Sequence, residues 1–436
     1  MIMSLFGFNR QFLRLGRLLH ARTILSSSYA CQEEWTKRLQ EPVFAGVNAD
    51  EFFFKMKERA KSKVPIEPID VDIFANVSGH ENLEECIYFL TLLRENRRTA
   101  FTLESTHHAV CRLFLNADAA DKLLPILQDR LKYGVFPDNF AFNMIMDHFL
   151  EKSDFTSACK VAHLYMLQED FSKLTNVLAL YSVYGCLTDP AQKEALCKSE
   201  EKPVSEEEKD NQGDEDEVEY VRVPFVRNPH FDDHFDLKDP ILLSGKTLYL
   251  IGLRYNGVIG LTSQLIGLAL WKKWSLAQQL LEKVIADQPN SYFAKGTIEL
   301  INDFVSSEPD AEETTFIEKL KSNENLMKGE NIVELIKKEF NSLSELESKD
   351  CSLLKEKFLK WSDDRAKALQ EQLEKYVREE KIKEIKERKK ELELKERKLF
   401  FFENFNKIEM EYVEAKKKLD ELKASEAEEE YFPPKR

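Results

Sequence analysis

Glycine and proline are scarce in this chain: 14 of each among 436 residues, where globular chains average about 7% and 5%. So few turn-formers exclude a many-stranded sheet protein with tight hairpins. Cysteine is sparse as well. Cys31, Cys86, Cys111, Cys159, Cys186, Cys197 and Cys351 form an odd, widely spaced set with no CxxC. That excludes a disulfide framework and a zinc ribbon, and it fits a reducing compartment. No run approaches the ~18 unbroken apolar residues of a membrane span. No P-loop, GxGxxG, GxSxG elbow, HExxH or kinase signature occurs, so nothing predicts an enzyme, a cofactor or a small-molecule substrate. Positive charge is in deficit: 63 Lys and Arg against 78 Asp and Glu give a net −15. That rules out a nucleic-acid coat that is basic throughout, and leaves room for a local basic patch.

What is present points to helices. Apolar residues make up 43% of the chain and charged residues 32%, enough for a core and for long solvated helix faces. The length suits two or three units of roughly 100–200 residues each. Arg10, Arg14, Arg17 and Arg22 interleave with Phe6, Phe8, Phe12, Leu13 and Leu18, Ser26–Ser28 follow, and the first acid is Glu33. An Arg- and Ser-rich, acid-free amphipathic start predicts a mitochondrial transit peptide over 1–30, with the mature chain opening near Cys31.

From about Glu81 the apolar residues recur at helical spacing, as in Leu83, Cys86, Ile87, Leu90 and Leu93. Gly134-Val135-Phe136-Pro137-Asp138 interrupts that pattern, and Asn139-Phe140-Ala141-Phe142-Asn143 starts another helix. Pro137 cannot continue a helix, and Asp138 or Asn139 can cap the next one. The result is helix–turn–helix units of roughly 35 residues, a length typical of solenoids. This places repeats at 69–103, 104–138 and 139–173, with a fourth pair after Leu174. The expected domains are helical repeats over 31–197, an acidic linker over 198–219, a strap and second helical pack over 220–305, and a charged tail over 306–436.

Tyr133 to Asn143, with Gly134, Pro137, Asp138, Phe142 and Asn143 at its key positions, resembles the join between two pentatricopeptide repeats. Together with the acidic insertion, the later helix pair and the tail, residues 20–300 look like the family of protein twenty-seven of the animal mitochondrial small ribosomal subunit. Beyond 300 the likeness is compositional. The resemblance implies an all-α, pentatricopeptide-type helical-repeat solenoid followed by a long charged helix or coiled coil. It further implies residence on the matrix ribosome, with mitochondrial ribosomal RNA and other small-subunit ribosomal proteins as partners. Two other readings stay open: a free mitochondrial pentatricopeptide factor for transcript stability or processing, and a coiled-coil scaffold or adaptor.

Such repeats read single-stranded RNA one base per repeat from few side chains. The resemblance puts those roles on His108 and Asp138 in one repeat and on Asn143 and Lys173 in the next. Asn143 fits the family's code, whereas Lys173 and His108 depart from it. Phosphate contact has a separate basis in Lys55, Lys57, Arg59, Lys61 and Lys63, opposed by Glu58 alone, and in Arg94, Arg97 and Arg98. Cations clustered in this way release counterions from folded RNA without reading sequence.

Residues 198–219 hold eleven acids and three lysines, a segment with little to bury and an expectation of disorder. His230, Asp232, Asp233 and His234 are ligand-type residues in the strap, but no further histidine lies near, so capping of the strap is expected rather than metal. Residues 312–430 contain no proline and only Gly329, which predicts one long helix supported by Glu379–Lys383, Glu384–Arg388, Glu391–Lys395 and Glu393–Arg397 pairs. Apolar residues on either side, Leu369 and Leu373 before and Phe402, Phe405, Ile408, Tyr412, Leu419 and Leu422 after, predict a partner helix or a fold-back hairpin.

Overall fold

The computed structural model describes residues 24–62, 64–198, 237, 239–287, 292–304 and 311–429. Residues 1–23 of the leader, Lys63, nearly all of the acidic linker and the strap with His230, Asp232, Asp233 and His234 lie outside the described residues. The chain divides into two units at Arg365.

The first unit opens with α1 (Gln32–Lys37) and α2 (Ala49–Lys61). Four helix pairs follow: α3 (Pro68–Val77) with α4 (Leu83–Glu95), α5 (Glu104–Asn116) with α6 (Ala120–Gln128) and its short extension α7 (Arg130–Tyr133), α8 (Asn139–Glu151) with α9 (Phe155–Gln168), and α10 (Lys173–Thr188) with α11 (Pro190–Lys198). The first helices of successive pairs pack on one another, α3 on α5, α5 on α8 and α8 on α10. Their starts are set by local chemistry. The Asp138 carboxylate accepts from the Ala141 amide at 3.0 Å, and Asp154 and Ser172 cap α9 and α10 in the same way. Pro137 stands just before its cap, and Gly134 ends α7 at φ 64°, a left-handed conformation that suits glycine. Phe142 is buried edge-on against Tyr165, with ring centroids 5.7 Å apart.

The turns inside the α5–α6 and α8–α9 pairs carry a signal that is hard to read from sequence, and it returns later in the chain. Asp118, Ser153 and Lys272 all adopt positive φ. The amide of the next residue then bonds five residues back, Ala119 to Phe114, Asp154 to Phe149 and Lys273 to Leu268, at 2.9 Å each. This is the helix-ending Schellman geometry. Its recurrence at Lys272 marks α13 (Val258–Leu270) and α14 (Trp274–Ala286) as a pair of the same build. Before them, α12 (Pro240–Gly252) lies against α13 through facing glycines. A Cβ on Gly267 would stand 2.5 Å from the Tyr249 amide nitrogen, and one on Gly245 would stand 2.6 Å from that of Trp271. Gly267→Ala is therefore expected to cost about 1–3 kcal/mol by overpacking, visible as a lower melting temperature in calorimetry.

Two features depart from the expectation of helices alone. Strands β1 (Phe293–Lys295) and β2 (Met327–Asn331) pair in parallel, because Phe293 and Ala294 are wholly buried and the Ala294 amide is tied to Thr262 Oγ1 at 2.9 Å. The long charged helix also begins later than 306. Between them, α15 (Thr297–Asn302), α16 (Ala311–Ser322) and α17 (Ile332–Ser342) join the first unit. Phe316, Leu320, Leu326, Ile332 and Ile336 give that stretch enough apolar surface to bury. The long helix is α18 (Ser344–Glu429), 86 residues in one piece with no fold-back hairpin. Leu354, Trp361 and Arg365, in its opening turns, are buried in the first unit.

The second unit is the remainder of α18. Its apolar side chains, among them Leu373, Ile385, Phe402 and Leu422, are exposed. Its ion pairs include Lys375–Glu379 at 3.9 Å and Lys389–Glu393 at 3.8 Å, in the reverse order to the Glu-before-Lys pairs expected from sequence.

Candidate nucleic-acid interface

The first helices of the pairs present one face, on which His108, Asp138 and Asn143 sit. A base reader needs that face open. Here the chain itself covers it, from two directions.

The first cover is the segment before and through α1. Tyr29 is buried, and its hydroxyl meets the Asn143 amide nitrogen at 2.7 Å. Asn143 has no exposed surface. Burial pushes the Tyr29 phenol up, so it stays protonated, and Asp350 pushes the same way. Trp35 is inserted edge-on to His108, with ring centroids 5.4 Å apart. It is gripped by two cations, the Arg38 guanidinium 3.5 Å and the Arg112 guanidinium 4.7 Å from its ring centroid.

The second cover is the start of α18. Trp361 packs on His108 with ring centroids 5.0 Å apart, and its indole N–H donates to Glu104 at 3.2 Å. Lys357 reaches Glu104 at 2.9 Å and Asp138 at 3.1 Å. Arg365 is 2% exposed and pairs with Glu41 at 3.2 Å, with Asp72 at 4.0 Å. Asp72 is fully buried and accepts from the Ser105 and Thr106 hydroxyls.

The protonation state of this face follows from its hydrogen bonds. Arg112 Nε donates to His108 Nε2 at 2.8 Å, so that nitrogen carries the lone pair and Nδ1–H donates to Asp138 at 3.1 Å. Burial pushes the His108 imidazole down, against the pull of Asp138. It is therefore neutral, with both ring nitrogens engaged. Burial alone would raise the Asp138 carboxyl, but His108, Lys357 and the Ala141 amide hold it well below the usual carboxylate range. Of the four positions assigned to base reading, His108, Asp138 and Asn143 are spent on internal contacts. Lys173 is exposed. Asn143, to which the resemblance assigned base reading, is buried and holds the covering segment through the Tyr29 hydroxyl.

The expected phosphate cluster is partly dismantled as well. On α2, alternate residues point to opposite sides. Arg59 bonds Asp70 at 3.1 Å, and Arg98 bonds Glu67. These carboxylates at the start of α3 turn both arginines into internal ties. Arg94 Nε donates to the Leu131 carbonyl at 3.1 Å and lies along the Gly134 turn, where an added Cβ would stand 3.0 Å from Arg94 Cδ. Lys55, Lys61 and Arg97 are exposed, and Lys57 lies over the Phe53 ring at 5.1 Å. Lys63 is outside the described residues.

Sequence reasoning missed Trp35, Arg112, Lys357, Trp361 and Arg365. One signal was available for the last two: a tryptophan and an arginine four residues apart in an otherwise solvated helix. Among the described residues no group of three or more His, Cys, Asp or Glu could hold a metal ion, and no helix is long and apolar enough to cross a membrane.

A comparison with protein families matches residues 2–391 to the family described as mitochondrial 28S ribosomal protein S27. The match runs past residue 300, further than the sequence resemblance reached.

Proposed function

The chain belongs to the mitochondrial 28S ribosomal protein S27 family, and from that premise we propose that it acts as a non-catalytic helical-repeat scaffold, holding ribosomal RNA by its phosphates and neighbouring proteins by shape. Membership makes it a component of the mitochondrial small ribosomal subunit in the matrix. One observation carries the mode of action. The side chains that would read bases, His108 and Asn143, are 1% and 0% exposed and bonded within the chain.

RNA contact then falls to the outer cations Lys55, Lys57, Lys61 and Arg97. Arg59, Arg94 and Arg98 support that surface from behind. Phosphate contact needs charge and reach, both of which exposed lysines supply, and it demands no open groove. The pentatricopeptide-like pairs serve as a rigid support. A free factor reading a transcript base by base would need the covered face. The exposed apolar stretch of the second unit, with Phe401 5.5 Å from Phe405 between ring centroids, offers a helix surface to a protein neighbour in the subunit.

The test is sedimentation of the small subunit from mitochondria expressing a tagged chain. Replacing Lys55, Lys57, Lys61 and Arg97 together by alanine is expected to release the chain from the subunit at a lower salt concentration than wild type, since each lost phosphate contact weakens a salt-dependent association. Asn143→Ala is expected to leave that salt limit unchanged while lowering stability by about 1–3 kcal/mol through the broken buried hydrogen bond. The opposite pattern would refute the proposal.

A further inference from the structure

The two covers of the repeat face also touch each other, and they do so along a line. Residues 26–34 run beside the opening turns of α18. The Ser26 amide donates to Glu347 at 3.3 Å, the Tyr29 hydroxyl donates to Asp350 at 3.4 Å, and Lys355 pairs with Glu34 at 2.8 Å. The same segment is tied to the repeats, through the Ile24 and Leu25 amides on Asp147 Oδ1 at 3.1 and 3.2 Å and through Tyr29 on Asn143. Its course past α18 is therefore fixed on both sides.

Within that line two thiols meet. Cys31 Sγ donates to the Cys351 carbonyl at 3.9 Å, and Cys351 Sγ lies 3.9 Å from the Ser28 and Tyr29 carbonyl oxygens. The two thiols are also within hydrogen-bonding reach of each other. Cys31 is buried, whereas Cys351 is only half-buried and so open to a small solute. Burial, with Cys31, Glu347 and Asp350 acting the same way, pushes the Cys351 thiol up to about 11. Thiolate is then scarce at neutral pH and oxidation is slow, so the pair answers to sustained oxidant. A second pair, Cys159 with Cys186, meets inside the repeats, but both residues are 0% exposed.

We propose that Cys31 and Cys351 are a modification site: under hydrogen peroxide they join in a disulfide that fastens the segment before α1 to the start of α18 and locks both over the repeat face. The peroxide meets Cys351 first, since that side chain reaches solvent. The Cys351 sulfur attacks one peroxide oxygen and the O–O bond breaks. The departing hydroxide takes the thiol proton and leaves as water, and Cys351 becomes a sulfenic acid. Cys31 sulfur then attacks Cys351 sulfur and the S–O bond breaks. The second hydroxide takes the Cys31 proton and leaves as water. Two thiols lose two electrons in all, and the peroxide gains them. The new bond joins positions 320 apart in the chain, and closing so long a loop removes many of the opened states. Trp35 follows Cys31 and Trp361 follows Cys351, and both rings pack on His108. Once the bond forms, neither cover lifts without carrying the other.

The experiment treats intact mitochondrial small subunits with increasing hydrogen peroxide, blocks the remaining thiols with N-ethylmaleimide, and digests without reductant for mass spectrometry. The expected product is the Cys31 peptide linked to the Cys351 peptide, formed before any Cys159–Cys186 link and lost on treatment with dithiothreitol. Cys351 carried to sulfinic or sulfonic acid with Cys31 still alkylated, or Cys351 linked to a different cysteine, overturns the proposal. The lock has its own readout in hydrogen exchange. Amides 29–35 of the oxidised chain are expected to exchange about tenfold more slowly than those of the reduced chain. Cys351→Ser, which keeps the size of the side chain and cannot form the bond, is expected to show no such change on oxidation. Equal exchange in oxidised and reduced wild type would overturn the locking even where the bond has formed.

Discussion

Replacing Arg365 by methionine is expected to destabilise the first unit by about 3 kcal/mol, the lower end of the range for removing one partner of a buried ion pair. Arg365 is 2% exposed and stands between Glu41 at 3.2 Å and Asp72 at 4.0 Å. Without it, Asp72 keeps the Ser105 and Thr106 hydroxyls but loses a cation that opposes its desolvation. Burial already pushes that carboxyl up, with Arg365 and Arg38 pulling against it. Glu41 is partly solvated, which moderates the loss. Methionine preserves most of the volume, so the effect reports charge rather than a cavity. Adding Asp72→Asn to Arg365→Met is expected to recover part of the loss, because the stranded charge is gone. Urea denaturation of the three variants against wild type measures this. If the single and double variants were equally unstable, the packing of α18 rather than the charge pair would hold the cover down.

Acidification from pH 7 to pH 5 is expected to remove about 2–3 kcal/mol of stability. His163 is 4% exposed, bonded to Ser244 Oγ at 2.8 Å, and burial pushes its imidazole down to about 3. His108 is likewise held neutral, with Arg112 donating to one nitrogen and Asp138 accepting from the other. The unfolded chain takes up protons on both below its ordinary value of about 6.5, while the fold refuses them. Stability therefore falls as pH drops through that value, by about 2 kcal/mol for His163 by pH 5, and His108 acts in the same direction. Asp147 acts in the other direction. Its raised carboxyl gains a proton in the fold before it would in the unfolded chain, which returns about 1 kcal/mol. His163→Gln is expected to remove about 2 kcal/mol of the difference between urea midpoints at the two pH values. An unchanged difference would mean that His163 is protonated in the fold.

The repeat frame was legible because its signals are local. Pro137, the Asp138 cap and the glycine at 134 fix one boundary, and the period of about 35 residues then places helix starts at Glu104 and Asn139. The later turn at Lys272 was not, because a lysine at positive φ carries no compositional mark. The start of α18 was misjudged for a related reason. Glu312 to Ser342 is charged enough to pass for solvated helix, and only tertiary contact shows that Phe316, Leu320 and Ile336 are buried. The candidate site fared worst. Arg59, Arg94 and Arg98 look like free cations until Asp70, the Leu131 carbonyl and Glu67 are seen beside them. No rule of spacing brings residues 357–365 onto helices that ended more than two hundred positions earlier.

That long-range closure is the account's central claim, and ultraviolet crosslinking of the intact small subunit, read out as nucleotide-bearing peptides of this chain, tests it most directly. Adducts are expected on the peptides carrying Lys55, Lys57 and Lys61 or Arg97, with none at His108 or Asn143. Adducts at His108 or Asn143 would mean that Trp35 and the start of α18 lift away in the ribosome and that the covered face reads RNA after all.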